Sequence, residues 1–362
     1  MSARKDKKFI AIGLCSPLSK KARPLQAILS HISVANDGLR ELGRKWVARV
    51  RKAARIALIP SIVGPYACST AHAKTPALVL IDTGICPSQV VKKDSPLAEA
   101  FISEKLNKLP GAGVVGAPFS RNMKNSELPV DDHDGHGTHL CGIVWRELLA
   151  KDAGMPPSLV MLKAGEKRMR AADLIAAVEE AARPRQGSLR VHVLLTAFNL
   201  YPEDCEAAEF ASFEKALGDL MDRGVWVVAS AGNRGLDLDR VTRNERSLPA
   251  GANHKNLLVI AAAGEEGLLA SRSNYGKTSV WLAARGARVD SLSLDGQRKT
   301  LSGSSQAAAL VAARLFALRR ESPELSLSEA KKLLEKSSRL HPSLLQTTAS
   351  GRFLAPAGHA KE

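Results

Sequence analysis

Residues 301–313 read Leu-Ser-Gly-Ser-Ser-Gln-Ala-Ala-Ala-Leu-Val-Ala-Ala. A glycine and small hydroxyl residues lead into an alanine-rich apolar run, which predicts a helix beginning close to Ser305. At a helix N-terminus, unpaired backbone N–H groups and the helix dipole favour developing negative charge. That environment suits a nucleophilic serine, which needs a base for its proton and donors for the oxyanion it creates. A simple N-cap serine is the structural alternative.

Three stretches upstream fit the same chemistry. Residues 77–84 are an apolar run that ends in Asp-Thr-Gly at Asp82, residues 132–139 place His136 ahead of another apolar run, and residues 227–235 lead into Asn233. Two of them have structural alternatives: Asp82 as a turn aspartate before glycine, and Asn233 as an asparagine favoured in a glycine-flanked turn. His133 and His139 are rivals for the role of base.

These four blocks, in this order, resemble those of the subtilisin-like serine proteases (subtilases), whose triad runs Asp, His, Ser along the chain. The resemblance covers roughly residues 76 to 357. It implies that Ser305 is the nucleophile, His136 the base, Asp82 its partner and Asn233 the oxyanion-hole donor. It also implies an α/β fold with a mostly parallel central sheet and helices on both faces, a three-layer α/β/α arrangement.

The resemblance further implies a substrate-binding strand and a facing loop. The residues that match them are Thr196, Ala197, Phe198, Asn199, Ala231 and Gly232. The family's strand usually ends in Ser-Leu-Gly-Gly, whereas this chain has Asn199 and Leu200 in place of the two glycines. We therefore expect these side chains to narrow the cleft.

The block around Ser305 also departs from the family pattern. Ser304 stands in place of threonine, Gln306 in place of methionine, and Ala-Leu at 309–310 in place of Pro-His. None of these changes removes a catalytic group.

Apolar runs predict the elements that carry these blocks. Strands are predicted over 77–81, 159–163, 191–198, 224–230 and 257–262, and helices over 138–150, 171–182, 207–223, 310–319 and 325–338. Continuous apolar runs of this length are typical of buried parallel strands. Residues 86–130 are interpreted as surface loops with one helix near 97–106.

Charge divides the chain into segments. Residues 1–76 hold 15 of the 52 Lys and Arg but only 3 of the 36 Asp and Glu, although the whole chain carries a formal charge of +16. We expect residues 1–75 to be a basic extension (a leader, a pro-segment or a disordered arm, with a helix near 39–57), residues 76–357 to be the peptidase domain, and residues 358–362 a tail. Because no aromatic-interleaved basic patch is present, nucleic acid is not an expected partner.

The cysteine and aspartate patterns bear on whether the chain holds disulfides or a metal ion. The five cysteines form no C-x-x-C pair, so neither a disulfide scaffold nor a zinc site is indicated. Asp131, Asp132 and Asp134 suit either a metal or a helix N-terminus. No cofactor is predicted; the resemblance implies that structural calcium is common in the family, but no ligand set can be named.

The location of the protein stays open. No apolar run is long enough to span a bilayer. Residues 56–68 followed by Ala-His-Ala at 71–73 resemble an export signal. The sequence therefore fits a secreted or periplasmic protein as well as a cytoplasmic one.

Three functional hypotheses follow. The first is a serine endopeptidase acting on protein or peptide substrates, and the second is a catalytically weak subtilase-like module that binds peptides or a partner. The third, an esterase of the α/β-hydrolase type, is disfavoured because the G-x-S-x-G elbow is missing and an aspartate comes first in the chain.

Overall fold

A computed structural model describes residues 75–85, 121–123, 131–149, 158–166, 168–183, 189–242 and 245–357. The predicted helices near 39–57 and 97–106 lie outside the described residues. So do Cys15, Cys68 and Cys86, whereas Cys141 and Cys205 are free thiols.

The described residues form eleven strands and five α-helices. The strands are β1 (Thr75–Asp82), β2 (Arg121–Asn122), β3 (Ser158–Lys163), β4 (Leu189–Thr196), β5 (Trp226–Ser230), β6 (Leu257–Ala263), β7 (Leu282–Arg285), β8 (Val289–Leu292), β9 (Arg298–Leu301), β10 (Arg339–Leu340) and β11 (Arg352–Leu354). The helices are α1 (His136–Leu149), α2 (Ala171–Ala182), α3 (Ala207–Asp222), α4 (Ser304–Glu321) and α5 (Leu327–Lys336). Short 3₁₀ turns cover Pro202–Asp204 and Pro342–Leu344.

Nine of these strands form one sheet in the order β10-β11-β7-β6-β5-β4-β1-β3-β2. Every neighbouring pair is parallel except β10 and β11. The strand order reverses between β1 and β4, and in open α/β sheets such a reversal opens a crevice at the carboxyl ends of the strands. Asp82 and Thr196 end the two strands that flank this point.

Alternate residues of the strands face opposite helical layers. On β1, Leu78 and Leu80 join the core formed with α1 and α4, whereas Val79 and Ile81 join the core formed with α2 and α3. Both faces of the sheet are therefore covered, which is why the strands read as continuous apolar runs. The predicted α/β class, with helices on both faces of a mostly parallel sheet, is confirmed.

Helix α4 is the most deeply packed helix of the described chain. Thirteen of its 18 residues are buried, and it packs against α1, α5 and five strands of the sheet. Its run of alanines lets the helix lie close to these neighbours, and helices buried on all sides lack an amphipathic pattern. No helix in the described part of the chain is long and apolar enough to cross a membrane.

The structure adds two elements that the sequence analysis did not predict. Strand β2 lies within the stretch 86–130, which was interpreted as loops and one helix. Strands β8 and β9 form a separate antiparallel hairpin that packs on α1. The Asp-Gly pair at 295–296 is a hairpin signal that could have revealed the second of these.

Candidate active site

Asp82 and His136 form a hydrogen-bonded pair at the carboxyl edge of the sheet. The Nδ1 atom of His136 lies 2.8 Å from Oδ1 of Asp82, whose side chain is buried, while the imidazole is about 28% exposed. A carboxylate can only accept, so Nδ1 carries the proton and Nε2 of a neutral His136 is left free to accept one. The same Oδ1 also accepts from the backbone N–H of Thr83 at 2.8 Å.

Close backbone approach brings the two residues together. A Cβ added at Gly137, next to His136, would lie 2.2 Å from the carbonyl oxygen of Gly84, so only glycine fits there. The backbone N–H of Gly137 donates to Oγ1 of Thr83 at 2.9 Å. The Asp-Thr-Gly and His-Gly blocks therefore interlock through backbone and side-chain contacts.

Asp132 holds the turn that leads into α1. Its Oδ1 accepts from the backbone N–H groups of Asp134 and Gly135, and its Oδ2 accepts from the N–H and hydroxyl of Thr138, all at 2.7–3.0 Å. Burial opposes ionisation of this carboxyl, but hydrogen bonds from Gly135, Thr138 and Thr83 outweigh burial and lower the pKa of Asp132. Asp132 thus acts as a cap, which is one of the two roles expected from the sequence.

The carboxylates near His136 control its protonation. Burial disfavours the imidazolium, but Asp82, with Asp134 and Asp132 adding to it, outweighs burial and raises the pKa of His136 above 6.5. The rival histidines differ from His136 in their surroundings. His133 is exposed, and the pKa of the fully buried His139, which contacts the carbonyl of Lys299, falls to about 4 because of burial.

Ser305 is the second residue of α4 and is 6% exposed. Gly303, not Ser305, occupies the N-cap position, so the simple N-cap interpretation does not describe this serine. The hydroxyl of Ser305 donates to the carbonyl oxygen of Ala197 at 3.1 Å. Among the described residues no hydrogen bond joins that hydroxyl to the imidazole of His136.

Asn233 is tied to the same helix N-terminus. Its Oδ1 accepts from the backbone N–H of Ser304 at 2.9 Å and from the Ser304 hydroxyl at 3.2 Å. That hydroxyl in turn accepts from the backbone N–H of Gly232 at 3.0 Å. Because Oδ1 is engaged by Ser304, the orientation of the Asn233 amide is fixed, and Nδ2 is the atom of this amide that can donate.

Of the residues at the end of β4 and just after it that were predicted to bind substrate, some have side chains engaged elsewhere in the fold and others lie beside Ser305 or the facing loop. Thr196 and Phe198 turn away: the Thr196 hydroxyl donates to the carbonyl of Val228, and the Phe198 ring packs 6.1 Å from that of Phe213 on α3. Ala197 presents its carbonyl to Ser305. Asn199 accepts from the hydroxyl of Ser247 at 3.2 Å through its Oδ1.

The facing loop contains Ala231 and Gly232, and it is shaped by a residue that the sequence did not single out. Asn274 is buried; its Nδ2 donates to the carbonyl of Ala231 at 2.8 Å, and its Oδ1 accepts from the N–H groups of Arg234 and Leu236. Its role depends on contacts with residues about 40 positions earlier in the chain, which the local sequence does not reveal.

The chemistry of the described residues gives no named metal site. No group of three or more His, Cys, Asp or Glu side chains is placed to share an ion within the described ranges. Calcium therefore stays an expectation drawn from the resemblance.

Comparison with known proteins gives relatives of two kinds. Over 145 residues, the chain is 31% identical to a subtilase cytotoxin subunit of Escherichia coli; this stretch covers 35% of the chain and 42% of that relative. Two solved structures superpose on the chain with a TM-score of 0.55 at 20% sequence identity. One is a cold-adapted subtilisin-like serine proteinase, and the match covers 78% of this chain and 88% of that protein. The other is the A-subunit of the AB5 toxin from E. coli, and the match covers 77% of this chain and 90% of that subunit. At that identity the structural likeness concerns the fold.

The match at the family level is broader. The sequence model of the subtilase family matches residues 74–357, which is more than three quarters of the chain and includes every residue of the site described above. The chain therefore belongs to the subtilase family.

Proposed function

We propose that the protein is a serine endopeptidase that hydrolyses peptide bonds through Ser305, His136 and Asp82. The observation that carries the proposal is the 2.8 Å hydrogen bond between Asp82 and His136 Nδ1, because it leaves Nε2 as the proton acceptor at the edge where α4 begins. Membership of the subtilase family supports the same reaction class.

In this proposal, Ser305 leaves the carbonyl of Ala197 and attacks the scissile carbonyl carbon while its proton passes to His136 Nε2. The resulting oxyanion is stabilised by the Asn233 amide and by the backbone N–H of Ser305. Collapse of the tetrahedral intermediate breaks the C–N bond, and His136 protonates the departing amine. A water molecule, deprotonated by His136, then hydrolyses the acyl-enzyme and restores Ser305.

Asp82 and Ser304 act through their neighbours in this scheme. Asp82 holds the imidazole of His136 in the tautomer that the reaction requires and stabilises its cation. Ser304 fixes the amide of Asn233, so that Nδ2 is available to the oxyanion without reorganisation. Removal of such a donor typically lowers the rate by about 10²–10³-fold.

The proposal is tested with a fluorophosphonate probe, which reacts with an activated serine. We expect the wild-type protein to be labelled, and Ser305→Ala and His136→Ala to lose labelling while both variants remain folded at the assay temperature, as checked by circular dichroism. Ser302→Ala is the matched control, because Ser302 is exposed, lies three residues away and accepts from the backbone N–H of Arg288, outside the site. Labelling that survives Ser305→Ala would refute the assignment.

A second candidate is a subtilase-like module that binds peptides but cleaves them poorly. It is favoured by one observation, the hydrogen bond from Ser305 to Ala197 instead of to His136. Absence of labelling in a folded wild-type sample that still binds peptides would favour this candidate over the endopeptidase.

A further inference from the structure

The nucleophile stands beside a crevice between two neighbouring strands. We call the space between residues 197–199, which follow β4, and residues 231–233, which follow β5, the β4/β5 crevice. The two strands are parallel, with Thr196 in register with Ala229. If Ser305 attacks as proposed above, the attacked carbonyl lies between Ser305 and Asn233, beside this crevice. The crevice is the space that the proposal below assigns to the side chain of the same substrate residue.

The side chain of Asn199 extends across the crevice from the β4 side. Its Oδ1 accepts from the buried hydroxyl of Ser247 at 3.2 Å. Two backbone hydrogen bonds of 2.9 Å between Leu200 and Leu248 fix Ser247 next to Asn199. The side chain of Asn199 is therefore held by a polar contact that is anchored by backbone pairing.

The side chain of Asn199 extends so far toward the opposite wall that a methyl group added at Gly232 would contact it. A Cβ at Gly232 would lie only 3.5 Å from Nδ2 of Asn199, and 2.5 Å from Nδ2 of the buried Asn274. Gly232 adopts φ +100°, which side-chain-bearing residues rarely adopt, and Asn274 holds the loop on both sides of it. The wall is thus fixed, and the side chain of Asn199 occupies part of the space between the two walls.

A second side-chain contact joins the two sides of the crevice. Arg234, from the β5 side, places its guanidinium 3.8 Å from the ring centroid of Tyr201, from the β4 side. A guanidinium over an aromatic ring at this distance is attractive. This contact therefore joins the β4 side of the crevice to its β5 side.

We propose that Asn199 restricts the β4/β5 crevice to small side chains, so that the preferred substrate residue on the acyl side of the scissile bond is glycine, alanine or serine. The proposal rests on the proposed function. A larger side chain has to displace Asn199 and break its contact with Ser247. In hydrophobic pockets a single methylene changes discrimination by about 10- to 200-fold, so closure of this space is expected to exclude leucine and phenylalanine.

The test uses the full chain and peptide anilides that differ only at that residue: glycine, alanine, serine, leucine or phenylalanine. We expect wild-type kcat/KM to be highest for the three small residues. Asn199→Gly should raise the ratio of kcat/KM for phenylalanine over alanine by about 10- to 200-fold. Asn199→Leu, which keeps the volume of the side chain but loses its hydrogen bond, should retain the wild-type order.

Fluorophosphonate labelling of each variant distinguishes failure of the crevice proposal from failure of the proposed role of Ser305. A labelled wild-type protein that prefers leucine or phenylalanine, or cleaves none of the anilides, overturns the crevice proposal and leaves Ser305 as the nucleophile. An unchanged ratio in a folded and labelled Asn199→Gly variant also overturns it. If neither the wild type nor Asn199→Gly is labelled, the proposed function and the crevice proposal both fail.

Discussion

The charge around His136 decides at which pH its imidazole can accept a proton. Asp82 contacts Nδ1 directly, and Asp134 adds a second negative charge two residues before the histidine. Both favour the imidazolium over the neutral ring, and the raised pKa of His136 is their net effect against burial. A raised pKa means that a larger fraction of His136 is protonated near neutrality, and a protonated imidazole cannot act as the base.

We therefore expect the rate of fluorophosphonate labelling to rise with pH through a midpoint above 6.5 and to level off at alkaline pH. Asp134→Asn removes one carboxylate but keeps the backbone N–H that donates a hydrogen bond to Asp132. Because the imidazolium of His136 loses a stabilising charge, the variant should have its midpoint at lower pH and a higher labelling rate on the acidic side. The measurement is the labelling rate as a function of pH for both proteins. A midpoint that does not move in the variant, or that moves upward, would contradict this electrostatic account.

Single residues also show how far the sequence could predict the site. Asp82 and His136 follow apolar runs within recognisable blocks, and the structure brings them into contact as the sequence led us to expect. The roles of Ser304 and Asn274 could not be predicted in this way, because each depends on a partner about 40 or 70 residues away along the chain. Local sequence carries no signal for such contacts until the fold is known.

At the scale of elements, apolar periodicity predicted the buried strands and helices but not their ends. Strand β4 was expected to reach residue 198 and ends at Thr196, where its pairing with β1 and β5 stops, although apolar side chains continue. The hairpin of β8 and β9 was missed because its strands have four residues each and its β9 side chains are largely exposed. Short, partly polar strands lack the pattern that longer buried strands have.

The two helices that begin at the site are joined by a buried ion pair. Nε of Arg314 on α4 lies 2.7 Å from Oε2 of Glu147 on α1, and the Glu147 side chain is only 1% exposed. The backbone N–H of Ala357 also donates to that carboxylate. The pair thus fixes α1, which begins at His136, against α4, which carries Ser305.

Because removing one partner leaves a buried charge, we expect Arg314→Met to lower the free energy of unfolding by about 3–5 kcal/mol. Replacing both partners, as in Glu147→Gln with Arg314→Met, should restore part of that loss. Denaturant unfolding measures both effects. Asp219→Asn is the matched control, since its ion pair with Lys215 joins two exposed side chains on α3 and contributes little. A loss for Arg314→Met no larger than that of the control would show that the pair is unimportant for stability.

At the scale of the whole molecule, the basic charge and the family match occupy different parts of the chain. The subtilase match begins at residue 74, one residue before β1, whereas residues 1–73 contain 14 of the 52 Lys and Arg and 3 of the 36 Asp and Glu. The predicted boundary near residue 75 is drawn from the resemblance to the subtilases and from this excess of basic residues, and it stays a prediction. What the basic segment does could not be predicted, because its composition suits a leader, a pro-segment and a solvated arm equally.

Deletion of residues 1–73 lowers the formal net charge from +16 to +5 and leaves every described strand and helix intact. If the domain boundary lies near residue 75, as predicted, the shortened protein should keep its melting temperature, elute earlier from a cation exchanger and be labelled by fluorophosphonate at the wild-type rate. A lower melting temperature would place part of the segment within the domain, because lost packing destabilises the remainder. Faster labelling after deletion would instead identify the segment as an inhibitory pro-segment, since the cleft would then be covered in the full chain.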